Sequence, residues 1–184
     1  MNDQIKKDLF RYVGNDCHRL LIQLRYIFFT PGFRYTYYMR KVQQGGCFKF
    51  FWMGMQRLCM ERTLIQIPYQ TQIGEGLYIG HFGHIIINPG CKIGKNFNIA
   101  AGVLLGNAQG KYAGTPTIGD NVKVGQNAII IGKINIGNDV LVAPGAFVNF
   151  DVPDNCIVIG NPGKIIQRNS SPTARYIVYP VQNY

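Results

Sequence analysis

An aliphatic residue recurs every six positions through the last two-thirds of the chain. It stands at Ile67, Ile73 and Ile79, again at Ile87, Ile93, Ile99 and Leu105, and again at Ile118, Val124, Ile130, Ile136, Val142 and Val148. Glycine often follows, as in Ile73-Gly74, Ile93-Gly94 and Ile136-Gly137. A period of six matches neither the 3.6 of a helix nor the 2 of a simple strand. It matches a coil of short strands joined by tight corners, with the aliphatic pointing inward and Gly, Asn or Asp turning the corner. The pattern predicts a mainly β architecture, a parallel β-helix of about five coils over residues 64–163.

The beat breaks twice. Two extra residues fall between Ile79 and Ile87, within Gly80-His81-Phe82-Gly83-His84. About seven more fall between Leu105 and Ile118, in a glycine-rich stretch from Gly106 to Pro116. Insertions in a repeat fold become loops, often on the binding face. Ahead of the repeat, Ile5, Leu9 and Val13, then Leu20, Leu21, Leu24, Ile27 and Phe28, recur at roughly helical spacing and predict helix over residues 1–28. Thr30-Pro31-Gly32 breaks it; a second helix is expected over 33–44 and a third over 48–62. The chain thus divides into a helical segment (1–62), a β-helix (63–168) and an aperiodic C-terminal tail (169–184), expected to pack on a neighbour or to move.

Charge sharpens this division. The formal net charge is +10, and residues 1–62 carry 11 Lys and Arg against 4 Asp and Glu. Fourteen of the 23 aromatic residues fall in the first 69 positions. A basic, aromatic helical segment has two principal readings: a cap with a solvated cationic face, or a surface for peripheral contact with an anionic membrane. No recognition motif accompanies the charge, so nucleic acid is not an expected partner. Five cysteines without metal or disulfide spacing, and no opening signal sequence, lead to the expectation of a cytoplasmic protein, with the inner membrane face as the place the basic helices would take it.

Two of the three histidines lie in the first break. A histidine lifted out of a regular coil is rigidly held yet open, and imidazole suits a general base that takes a proton from a hydroxyl. His81 is therefore the candidate base, with His84 and Phe82 as candidate acceptor contacts. No third ligand is spaced to complete a zinc site with the two histidines, so no metal is expected. No nucleophile elbow or cysteine–histidine arrangement supports a covalent route.

The run Ile67–Ile166 resembles the hexapeptide-repeat acyltransferases, most closely the serine acetyltransferases and the O-acetyltransferases of surface polysaccharides. The resemblance is carried by Ile79-Gly-His81-Phe-Gly-His-Ile-Ile, by Val103-Leu-Leu-Gly106-Asn-Ala-Gln-Gly-Lys111, by Thr117-Ile-Gly-Asp-Asn-Val and by Ile159-Gly-Asn-Pro-Gly-Lys-Ile-Ile166. Thr30-Pro31-Gly32-Phe33, with Arg40 beyond it, resembles a segment of the N-terminal helices of serine acetyltransferases. The resemblance implies a left-handed coil, a homotrimer and acetyl-CoA as co-substrate, bound in the groove between adjacent subunits. It implies His81 as base, the backbone at Gly106 and Asn107 along the thioester, and Lys164 near the CoA phosphates with Arg168 assisting. Lys123 and Lys133 are weaker phosphate candidates.

Three departures bear on the acceptor. Serine acetyltransferases carry an Asp before the catalytic His, where this chain has Gly80. They carry an Asp fifteen residues earlier that orients the imidazole, where it has Gln66, whose carbonyl is able to accept the imidazole N–H. They carry a His in the long loop, where it has Thr115. With Tyr112 and Thr115 as further acceptor contacts, this combination favours a neutral sugar hydroxyl over serine. Serine acetylation is the alternative, and a non-catalytic β-helix assembly module is the reading of another class.

Overall fold

The computed structural model describes residues 1–184, apart from the side chain of Lys111. The six-residue beat folds into three sheets, the faces of a β-helix. The first holds β1 (Ile65–Gln66), β4 (Ile85–Ile87), β7 (Leu104–Gly106), β10 (Ile129–Ile131) and β13 (Phe147–Val148). The second holds β2 (Gln72–Ile73), β5 (Lys92–Ile93), β8 (Thr117–Ile118) and β11 (Asn135–Ile136). The third holds β3 (Tyr78–Ile79), β6 (Asn98–Ile99), β9 (Lys123–Val124), β12 (Leu141–Val142), β14 (Cys156–Ile159) and β15 (Lys164–Gln167). Coil neighbours pair in parallel, so the inward aliphatics stack. Ile79 lies on Ile99, Ile99 on Val124, Val124 on Val142 and Val142 on Val158. All are buried, and the stack is the core of the molecule. Asparagine or aspartate supplies several corners in the left-handed backbone region, at Asn96, Asn121, Asn127, Asp139 and Asn155.

A β-helix leaves one open edge per sheet at its first coil, and unpaired backbone groups there are costly if buried. The helices α1 (Asp3–Val13), α2 (Leu20–Phe29), α3 (Pro31–Gln44) and α4 (Lys49–Thr63) cover this end. Side chains from α1, α3 and α4 meet the three edges. At β1, the Tyr35 hydroxyl accepts from Ile67 N and donates to Ile67 O (3.1 and 3.0 Å). Beyond β2, Arg40 donates to the carbonyls of Ile73 and Gly74 (2.8 and 2.6 Å), and Asp8 Oδ1 accepts from Gly76 N and Leu77 N (2.8 and 2.9 Å). Arg40 and Asp8 are themselves a buried ion pair at 2.8 Å. At β3, the Tyr12 hydroxyl accepts from Ile79 N (2.9 Å) and donates to Ile79 O (3.1 Å).

The first helical stretch is interrupted where the pattern read it as continuous. Gly14, with φ of 59°, ends α1, and a 3₁₀ turn over Gly14–His18 redirects the chain into α2. The capping role read for this segment is met by the inner faces of the helices. Their outer faces leave Leu21, Phe29 and Phe50 at least 80% exposed. Among the described residues, no helix is long and apolar enough to cross a membrane.

At the far end β15 turns back antiparallel on β14. Residues 169–184 then correct the expectation of a tail on a neighbour or in motion, for they fold back along their own β-helix. Ser171 Oγ donates to Asp139 Oδ1 (2.6 Å), Val181 N donates to Asn96 Oδ1 (2.8 Å), and Thr173, Ile177 and Val181 are buried. Individual side-chain anchors hold this segment, and for that reason it shows no period.

Candidate active site

His81 follows β3 at the corner where the third sheet passes to the first, and it is exposed. The backbone just before it is pinned. Tyr12 grips both polar groups of Ile79, and α3 presses on the same residue through Gly32, where a Cβ would lie 2.3 Å from Ile79 O. The intervening residue, Gly80, lies against the Tyr78 ring; a Cβ there would sit 3.0 Å from Tyr78 Cε1. Tyr78 in turn packs on Tyr12, with ring centroids 4.4 Å apart. The absence of a side chain at position 80 thus goes with an aromatic pair that an aspartate would push aside.

His81 opens onto a cavity of about 460 Å³. One wall is α1, with Arg11 and Tyr12. The floor is the outer face of the third sheet, with Tyr78, Asn98 and Lys123. The opposite wall is the C-terminal segment, with Arg175, Tyr176 and Tyr179. Arg11 is buried and donates to Gly76 O (3.3 Å), Tyr179 O (3.1 Å) and Asn98 Oδ1; burial pulls its pKa down to about 10. Lys123 Nζ lies 3.5 Å from the centroid of the Tyr176 ring, and burial lowers its pKa too. Burial pushes the Tyr12 phenol well above its ordinary range, so it remains a neutral hydrogen-bonding group. Among the described residues, no carboxylate lines this cavity.

The other residues singled out from sequence lie elsewhere in the single chain. His84 and Phe82 are exposed on the same corner loop, outside the cavity lining. Gln66 makes no hydrogen bond with His81; it lines a separate cavity between α4 and the first coil, beside Tyr35, Met60 and Tyr69. Gly106 ends β7, and Asn107 Oδ1 accepts from Gly114 N (3.0 Å) within the long loop. Thr115 lies against Gly90 and Tyr112 against Gly132. That loop leaves from the corner between the first and second sheets, a different corner from that of His81. Lys164 and Arg168 are exposed at the opposite end of the coil from His81.

Sequence reasoning missed Tyr12, Tyr78, Arg11 and the C-terminal wall. Only Lys123 was noted, and for a different ligand group. One signal was available: Tyr78, Asn98 and Lys123 occupy the outward position of successive strands and so share one face.

Residues 115–149 match the family described as bacterial transferase hexapeptide (six repeats). A serine acetyltransferase of Helicobacter pylori is 34% identical over 124 residues, covering 66% of this chain and 72% of that protein. The chain belongs to the serine acetyltransferase family. Another member, from Synechococcus elongatus, is 37% identical over 109 residues, 58% of this chain and 44% of its own length. The chain spans about half the length of several curated family members that it matches. A crystal structure of the Brucella abortus serine acetyltransferase in complex with coenzyme A superposes with a TM-score of 0.75 at 25% identity, over 91% of this chain and 68% of that one. This likeness makes the coil the left-handed β-helix of the family, and it extends through the N-terminal helices.

Proposed function

We propose that the chain is an acetyl-CoA-dependent O-acetyltransferase in which His81 is the general base. The observation that carries this reading is His81 itself: a histidine at an open corner, its approach pinned at Ile79, facing a cavity in a chain of this family. The imidazole takes the proton of the acceptor hydroxyl as its oxygen attacks the thioester carbonyl. The tetrahedral intermediate collapses with cleavage of the C–S bond, and the imidazolium returns the proton to the departing thiolate. No covalent enzyme intermediate is required.

The homotrimer belongs to this proposal. The corner of His81 and the corner of the long loop are different corners of one prism, so a neighbouring copy is needed to bring Gly106, Asn107, Tyr112 and Thr115 toward His81. Lys164 and Arg168, remote from His81, suit the phosphates at the far end of the donor.

For the acceptor, the relatives favour serine over the sugar hydroxyl expected from sequence. Serine is therefore the acceptor to test first. A second reading, another hydroxyl compound, rests on the uncharged residues Gly80, Gln66 and Thr115. The deciding experiment follows CoA release and O-acetylserine formation in the protein and in His81→Ala. The variant should lose a factor on the order of 10²–10⁴ in kcat while still binding CoA. Near-normal turnover by the variant would remove His81 from the role.

A further inference from the structure

We propose that the outer faces of α2 and α4 form a docking surface for an anionic lipid bilayer. The exposed leucines and phenylalanines enter the headgroup boundary, and the arginines and lysines among them meet the lipid phosphates. The surface is independent of the acetyl-transfer reading, since no residue of 19–62 lines the cavity beside His81.

The first ground is an apolar face with nothing packed on it. On its inner side α2 packs on α3 and on the 3₁₀ turn, with Gln23 buried and Ile22, Tyr26 and Ile27 half-buried. On its outer side Leu20, Leu24 and Phe28 make one row at four-residue spacing, and Leu21, Arg25 and Phe29 make the next. All six are exposed. A helix that is apolar on both sides is ordinarily covered on both. On α4, Phe50, Gly54, Leu58 and Arg62 form an exposed row of the same spacing, with Phe51 beside it. Arg34 of α3 joins the two helices, donating to Phe28 O at 3.0 Å and facing the Cys59 thiol of α4.

The second ground is charge, and it names the occupant. Residues 19–62 hold eight Lys and Arg and one acid, Glu61. Arg40 is buried on Asp8, and the other seven cations are exposed or half-exposed. Glu61 is taken by Arg57 at 2.8 Å, and Asp16 by Arg19 at 3.2 Å. Arg25 and Arg62 make no ion pair among the described residues. A second copy laid on this face would oppose cations to cations, with no acid left to answer them. An anionic bilayer supplies both halves of the match. Its phosphates attract each nearby Lys or Arg, and its acyl boundary receives Leu and Phe. The long cationic side chains reach the headgroups while their apolar neighbours lie deeper.

The test is flotation of the full chain with vesicles of phosphatidylcholine alone, and of phosphatidylcholine containing about 30% phosphatidylglycerol. Partitioning into the anionic vesicles should exceed that into the neutral ones by about tenfold or more, and should weaken as NaCl is raised from about 0.1 to about 0.5 M. The combined variant Leu21→Gln, Phe29→Gln, Phe50→Gln changes only outward side chains, so it should melt as the parent does while its partitioning falls about tenfold or more. The pair Arg25→Gln and Arg62→Gln should lower partitioning into the anionic vesicles by a similar factor of about ten. Acetyl-CoA binding should be the same in all of them. Absence of binding to either vesicle, or equal binding to both, overturns the proposal. So does anionic-vesicle binding that survives both sets of substitutions, which would place the lipid contact elsewhere. Sedimentation velocity without lipid reads the remaining case. A parent that ignores vesicles, and whose assembly halves in mass in the Gln variant, would make this face a contact between copies and refute the lipid surface.

Discussion

Replacing Tyr12 with phenylalanine removes one oxygen atom and leaves the ring. The ring contacts with Tyr78, Phe33 and Tyr26, at centroid separations of 4.4, 5.7 and 5.8 Å, persist. What is lost is the hydroxyl that accepts from Ile79 N and donates to Ile79 O. Ile79 is buried on the edge strand of its sheet, so both backbone groups are left without their partner. A buried donor or acceptor stripped of its partner costs about 1–3 kcal/mol, so two such groups cost about 2–4 kcal/mol once partial relaxation is allowed for. In a chain of this length each kcal/mol moves the unfolding midpoint by about 2–4 °C, so Tm should fall by about 5–15 °C. The same loss frees the strand two residues before His81. Misplacement of a reacting group by about 1 Å can cost up to about 10²-fold, so kcat should fall with little change in the KM for acetyl-CoA. Calorimetric melting at fixed protein concentration, paired with steady-state kinetics, reads both. A Tm within 2 °C of the parent, about the limit of a neutral surface change, together with unchanged kcat, would refute the view that Tyr12 fixes this corner.

Three further outcomes follow from the same geometry. Gly32→Ala places a Cβ 2.3 Å from Ile79 O, a backbone clash, and should destabilise by about 1–3 kcal/mol in urea denaturation. Asp8→Ala leaves Arg40 buried without its partner and strips Gly76 N and Leu77 N, and should cost about 3–5 kcal/mol in the same measurement. Lys164→Ala should raise the KM for acetyl-CoA and leave kcat at saturation nearly unchanged, since it is placed to meet a remote part of the donor; a selective loss of kcat would contradict that placement.

The period of six determined the coil, because each turn of a β-helix is built from residues adjacent in sequence. Inward positions such as Ile73, Ile99, Val124 and Val142 and corners such as Asn121 and Asn127 were legible for that reason. The break that carries His81 was legible in the same way, as a departure from a local rule. The outer face that Tyr78, Asn98 and Lys123 share follows from the same repeat, but tertiary structure alone set the walls around it. Tyr12 and Arg175 come from a helix and a returning C-terminal segment, and no spacing in the chain links them to His81. Gln66 shows the converse. Its fifteen-residue offset suggested a partner for His81, but β1 is an edge strand under α4, and Gln66 lines the cavity there with no hydrogen bond to His81. Repetition encodes its geometry in every turn, whereas a site assembled across segments is set by packing, and packing has no period to read.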